Sequence, residues 1–244
     1  MYLNCDLGES YGQWQMGLDT DVLPHVDMAN IACGFHAGDP CVIANTLKLT
    51  QLNQNIIGAH PSYPDRQGFG RRSMQCSSTE LTNLLHYQIA ALDGMASIYN
   101  QSVSYVKPHG ALYNDMMRDQ AILTSVMQSV ASYKKPLKLM ILATGKAEQH
   151  AKQAEQLGLE LFFEAFADRR YDDHGYLQPR SQAGSVLDKQ QILQQVEQLK
   201  QRGTVTTNTG QTITLKADTL CVHGDNPESI ALVKQIKQIC QSSL

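Results

Sequence analysis

Short apolar runs alternate along this chain with longer stretches in which apolar residues recur every three or four positions. The short runs cover residues 2–6, 27–32, 56–60, 103–107, 137–143, 160–164 and 219–223, and their length predicts strands. The longer stretches predict helices over residues 39–53, 78–100, 116–133, 145–157, 188–202 and 227–240. In the last of these, Ile230, Val233, Ile236 and then Ile239 or Cys240 fall on one face and predict a buried stripe. Helix starts are marked too. Asp39 before Pro40 reads as an N-cap followed by proline at the first helical position. Ser78, Thr79 and Glu80 place capping and acidic groups where a helix dipole favours them, and Asp225-Asn226-Pro227-Glu228 opens the last helix in the same way. Strand–helix alternation predicts a parallel sheet. Seven or so units in 244 residues fit a (β/α) barrel of seven or eight strands, with an open doubly wound sheet as the competing topology. Residues 204–215 break the rhythm: β-branched residues alternate on either side of Asn208-Thr209-Gly210, which predicts a hairpin inserted before the last barrel unit. No repeat, linker or low-complexity stretch interrupts the pattern, so one domain is expected over residues 1–244.

Composition narrows the function classes. A formal net charge of −3 is too near balance to suggest nucleic acid or an anionic membrane as a partner. No window approaches the ~20 apolar residues of a membrane span. The opening residues show no basic region followed by an apolar run, so no signal peptide is expected and a cytoplasmic location is. The six cysteines form no CxxC pair, which argues against a zinc knuckle or redox motif and for free thiols. Cys5, Cys33 and Cys221 each end an apolar run and read as buried small hydrophobes rather than nucleophiles.

Candidate chemistry gathers just after the predicted strands. Asp6 and Glu9 follow the first, His36 and Asp39 the second, and His60 ends the third. Lys107 and His109 follow the fourth, Glu164, Asp168 and Arg169 a later one, and His223 and Asp225 the last. In a (β/α) barrel these positions share the C-terminal rim, where active sites lie. One histidine at a strand end often only hydrogen-bonds a loop; four at equivalent places in different units point to a site. His86 and His150 fall on predicted helices and read as structural or solvent-facing, and Met116-Met117 as core. Three chemistries fit. Asp6, His36 and His60 offer carboxylate and imidazole ligands for a divalent metal. Asp6 or Glu9 can serve as a general base while Lys107, His109 and Arg169 stabilise negative charge. The basic members can position a phosphoryl group. No P-loop, GxGxxG fingerprint, HExxH helix or GxSxG elbow accompanies them.

The motifs themselves resemble the LamB/YcsF family. Residues 4–12 (NCDLGESYG) look like its opening signature, and residues 30–40 (NIACGFHAGDP) like its second. Residues 58–65 (GAHPSYPD) with 68–72 (GFGRR) look like the third, and residues 106–113 (VKPHGALY) like the fourth. Residues 164–169 (EAFADR) with Tyr171, and residues 221–225 (CVHGD), complete the set, in order along nearly the whole chain. The resemblance implies a distorted (β/α) barrel of the glycoside hydrolase/deacetylase type. It also implies an ATP-dependent 5-oxoprolinase, converting 5-oxo-L-proline to L-glutamate with ADP and phosphate formed, in which this chain works with two partner subunits, B and C. ATP with Mg2+ is then the expected cofactor set, with another divalent metal as an alternative at Asp6, His36 and His60. On that reading Asp6, Glu9, Lys107, His109, Glu164 and Arg169 are the catalytic candidates, and His36, His60, His223 and Asp225 bind substrate. Two rivals carry different expectations: a metal-dependent hydrolase or deacetylase that needs no ATP, and a non-catalytic substrate-binding subunit.

Overall fold

Seven parallel strands close into a barrel: β1 (Tyr2–Leu7), β2 (Met28–Ala32), β3 (Ile56–His60), β4 (Val103–Val106), β5 (Lys138–Leu142), β6 (Leu161–Phe166) and β9 (Thr219–Cys221). They pair in that order, and β9 closes the ring by pairing with both β6 and β1. The hairpin of β7 (Thr204–Thr206) and β8 (Thr212–Thr214) stands apart as a two-stranded antiparallel sheet before β9. This computed structural model describes residues 1–224 and 227–241. A closed barrel settles the topology against the open sheet.

Helices α2 (Pro40–Asn53), α3 (Ser78–Ile98), α6 (Ala147–Glu155), α7 (Lys189–Arg202) and α8 (Pro227–Gln241) fall where the apolar periodicity placed them. The stretch predicted as one helix over residues 116–133 is two, α4 (Gly110–Arg118) and α5 (Gln120–Ala131). Asp119 divides them. Its backbone is extended (φ −117°, ψ 116°) and its carboxylate accepts the N–H groups of Ala121 and Ile122, so it caps a new helix instead of continuing the old one. A short α1 (Asp19–Val22) and a 3-10 turn (Leu23–His25) fill the β1–β2 connection, where the pattern showed no periodicity.

Asp39 is the expected N-cap of α2: one carboxylate oxygen accepts from Cys41 and Val42, and the other from the Gly12 N–H at 2.7 Å. Asp39→Ala should lower stability by about 1 kcal/mol, the usual worth of a cap, read as a shift of the urea midpoint. An unchanged midpoint would show that the cap carries no weight here. For α3 the cap is Ser77, one residue before the predicted start, in a capping box with Glu80.

Two cores result. The outer strand faces pack Leu3, Ile31, Ile57, Val106, Leu139 and Leu220 against helix residues such as Leu47, Leu85, Ile89, Val126 and Val196. Inside the barrel, Met28, Tyr105 and Met140 form an apolar plug flanked by Ile56 and Phe162. Beyond the plug, towards the strand C-termini, the inward positions turn polar: Asn4, Asn30 and Thr219, then Asp6, His60, Lys107 and Glu164. The cross-strand register Asp6–Asn30–Gly58–Tyr105 sets this layer. Gly58, lacking a side chain, lets the Tyr105 ring cross to Asn30, where its hydroxyl donates to the Asn30 side-chain oxygen at 2.5 Å.

Candidate functional site

Lys107 holds the floor of the site. Its Nζ lies 2.9 Å from Asp6 Oδ1, 2.8 Å from Glu164 Oε1 and 3.2 Å from Asn4 Oδ1. Burial opposes the ammonium charge, but Asp6 and Glu164 outweigh it and hold the Lys107 pKa well above its ordinary value. Burial likewise pushes Asp6 up, but His60 and Lys107 prevail and hold it well below the usual carboxylate range. Asn30 Nδ2 donates to both Asp6 Oδ1 and Asn4 Oδ1, and Tyr113 donates to Glu164 at 2.8 Å. Asn4, Asn30 and Tyr113 stand inside the family motifs without being among the site candidates, and Tyr105 falls just outside them. Asn4, Asn30 and Tyr105 occupy inward positions of their strands, so strand alternation counted back from Asp6 and Lys107 was the available signal.

Beside the floor lies a histidine cluster. His60 Nε2 is 3.3 Å from Asp6 Oδ2 and 2.9 Å from His109 Nδ1. His109 Nδ1 is 3.4 Å from Glu9 Oε1, and His36 Nε2 is 3.0 Å from the same oxygen. The His36 and His109 rings stack at 3.8 Å with 3° between planes. Burial is the main reason that the His36 and His109 pKa values fall well below the ordinary imidazole value, and that of Glu9 rises. A loop closes over the cluster. Phe69 offers its carbonyl to His109 Nε2 at 2.9 Å, and Gly70 leaves no room for a side chain, since a Cβ there would sit 2.8 Å from His109.

The opposite wall is cationic. A cavity of about 410 Å³ opens above Asp6, His60, Lys107 and His109, and Arg71, Arg118, Arg169 and Arg180 line it. His223 also lines the cavity, with Nδ1 3.3 Å from Asp168 Oδ2. Burial raises the Asp168 pKa, but His223 and Arg180 prevail and lower it.

Most of the sequence candidates therefore share the strand C-terminal mouth, but not all in the expected way. His36, expected to bind substrate, is fully buried behind His109 and is not part of the cavity wall. Glu164 is also fully buried and meets the cavity through Lys107 and Tyr113, so it positions those groups rather than touching a substrate. Among the described residues, the ligand atoms lying within 4.8 Å of one another belong to Glu9, His36, His60 and His109, whereas the expected metal trio was Asp6, His36 and His60. Asp6 spends one oxygen on Lys107 and Asn30. Asp225 lies outside the described residues.

The parallel (β/α) barrel, with a cation-walled cavity over a buried carboxylate–lysine floor, places this chain among barrels whose polar cavity opens at the C-terminal face. The chain belongs to the LamB/YcsF family, whose model matches residues 1–243. It is 53% identical over 237 residues to the 5-oxoprolinase A-subunit of Vibrio parahaemolyticus, covering 97% of this chain and 94% of that one. It is 51% identical over 241 residues to the second of the numbered 5-oxoprolinase A-subunits of Pseudomonas putida, covering 98% and 93%. The crystal structure of a lactam utilization protein from Thermus thermophilus superposes with a TM-score of 0.89 at 34% identity, covering 98% of this chain and 95% of that one. None of the described helices is long and apolar enough to cross a membrane.

Proposed function

We propose that this chain is the lactam-binding and lactam-opening component of an ATP-dependent 5-oxoprolinase, acting with subunits B and C in the cytoplasm. The observation that carries the reading is the cavity: four arginines face an ionised Asp6 and a charged Lys107 in a space sized for a small cyclic amide acid. The names of the relatives at about 50% identity support the same substrate.

The chemistry demands such a site. A five-membered lactam is resonance-stabilised and its nitrogen is a poor leaving group. Phosphorylation of the lactam oxygen by ATP, with Mg2+ accompanying the nucleotide, would make the ring carbon electrophilic. The sequence has no P-loop, so phosphate here would be held by side chains, and the arginine wall fits that task by charge and by fork geometry. In this reading Arg169 and its neighbours take the substrate carboxylate and phosphoryl charge. Lys107 stabilises charge on the carbonyl oxygen, and Asp6 orients the attacking water. His223, paired with Asp168, delivers a proton to the departing ring nitrogen, and a second water cleaves the resulting γ-glutamyl phosphate to L-glutamate and phosphate.

The test is glutamate release from 5-oxo-L-proline by the chain alone and with subunits B and C, each with and without ATP and Mg2+. Glutamate formed only with ATP and partners is the expected result. Glutamate from the chain alone without ATP would select an autonomous hydrolase, and none under any condition a binding role or another substrate. In the active assembly, Asp6→Asn should reduce kcat by about 100-fold or more while leaving thermal unfolding within a few degrees of wild type. Retained turnover would remove Asp6 from the mechanism.

A further inference from the structure

The hydrogen-bond partners of two buried histidines fix which ring nitrogens carry protons. His60 Nδ1 lies 2.7 Å from the Lys107 carbonyl oxygen, and His109 Nε2 lies 2.9 Å from the Phe69 carbonyl oxygen. A carbonyl only accepts, so both of these nitrogens are N–H donors. The inner nitrogens, His60 Nε2 and His109 Nδ1, are then bare lone pairs in the neutral rings, and they stand 2.9 Å apart. Glu9 Oε1 is 3.4 Å from the His109 nitrogen and 4.0 Å from the His60 nitrogen, and Asp6 Oδ2 is 3.3 Å from the latter. Acceptors thus converge on one another. The hydrogen at hand is that of His36 Nε2, spent on Glu9 at 3.0 Å. Facing lone pairs in a buried setting require a cation between them.

A shared proton is the smallest candidate, but a proton bridges one pair of atoms, whereas two ring nitrogens and two carboxylate oxygens converge here. From this geometry we propose that Glu9, His60 and His109 bind a divalent transition-metal ion of the zinc type, with His36 holding the Glu9 carboxylate in place. The separation supports it: two nitrogens at right angles around an ion, each bonded at ~2.1 Å, stand about 3 Å apart. Backbone carbonyls on the outer ring nitrogens are the arrangement that orients metal-bound histidine. Two imidazoles and one carboxylate suit zinc, cobalt or manganese, whereas magnesium and calcium prefer an all-oxygen set. His60 and His109 also line the cavity, so the ion would stand beside the substrate space. Side-chain geometry alone carries this site, and it does not depend on the ring-opening reading.

The experiment is a metal titration of the untagged, EDTA-stripped full chain, followed by calorimetry and elemental analysis. One equivalent of Zn2+ should bind, Co2+ should give a visible spectrum of nitrogen and oxygen ligation, and Mg2+ and Ca2+ should leave the chain unchanged. Glu9→Gln and His109→Ala should each weaken Zn2+ binding by at least about 100-fold, and Cys41→Ser, at an exposed thiol, should not. Because a variant can misfold, the wild-type chain supplies a second reading by 15N imidazole spectra. Zn2+ should shift His60 Nε2 and His109 Nδ1 while His60 Nδ1 and His109 Nε2 stay protonated. A natively folded chain that binds none of Zn2+, Co2+ or Mn2+, or Zn2+ binding that leaves these nitrogens unmoved, would overturn the proposal.

Discussion

Replacing Lys107 with methionine is expected to cost the fold about 3 kcal/mol and to reduce turnover by roughly a thousand-fold. The stability loss follows from what the ammonium leaves behind. Glu164 is fully buried, and after the change its remaining partner is the Tyr113 hydroxyl at 2.8 Å. A buried carboxylate without its counter-charge is among the most expensive single defects a core can carry. Adding Glu164→Gln should restore part of the loss, because the buried charge is removed with its partner. The activity loss has a separate origin: Asp6 loses the contact at 2.9 Å that holds its carboxylate, and the cavity loses the lysine charge at its floor. Urea denaturation, with glutamate release in the full assembly, measures both effects. A variant of wild-type stability and wild-type turnover would remove Lys107 from the centre of the site. Lys107→Arg should not rescue activity, since a planar guanidinium does not fit between three acceptors spaced for a compact ammonium.

Gly58→Ala tests the layer beneath. A Cβ at this position would lie 2.2 Å from two atoms of the Tyr105 ring, a distance that real atoms do not adopt. The ring cannot swing aside cheaply. It sits in the apolar plug with Met28 and Met140, and its hydroxyl is tied to Asn30. The expected cost is about 3 kcal/mol, at the upper end for overpacking, because strand separation must change as well as a rotamer. Displacing Tyr105 should also disturb Asn30, which holds Asp6, so turnover should fall although residue 58 touches no substrate. Gly94→Ala in α3 is the control: a Cβ there meets nothing within 4 Å, and the change should be neutral or stabilising by up to about 1 kcal/mol. Equal midpoints for the two variants would show that the plug tolerates what its geometry forbids.

The sequence legibly carried those features that depend on local chemistry. Apolar runs located seven barrel strands to within one or two residues, because a strand buried on both faces has no alternative use for such a run. Asp39 was readable as a cap because capping is a contact between a side chain and its own helix. The ring of ionisable residues at strand ends was readable because a parallel barrel sends every strand C-terminus to one face. The break at Asp119 was less visible, since the same apolar spacing continues through α4 and α5 and only a single cap residue marks the boundary.

Other properties depend on which strands become neighbours, and no one segment of sequence contains that information. Asp6, Asn30, Gly58 and Tyr105 come from four strands, and register makes them one layer, to which Asn4 is joined through Asn30. His36 and Glu164 looked equivalent to His60 and Lys107 along the chain. In the folded barrel His36 is packed behind His109 and Glu164 behind Lys107, because ring stacking and ion pairing compete for the same small volume. Sequence therefore determined the barrel and the inventory of its mouth. Tertiary structure alone decided which groups meet the cavity, which hold those groups in place, and which lone pairs face each other, since distances of a few ångströms are set by packing across the barrel and not by spacing along the chain.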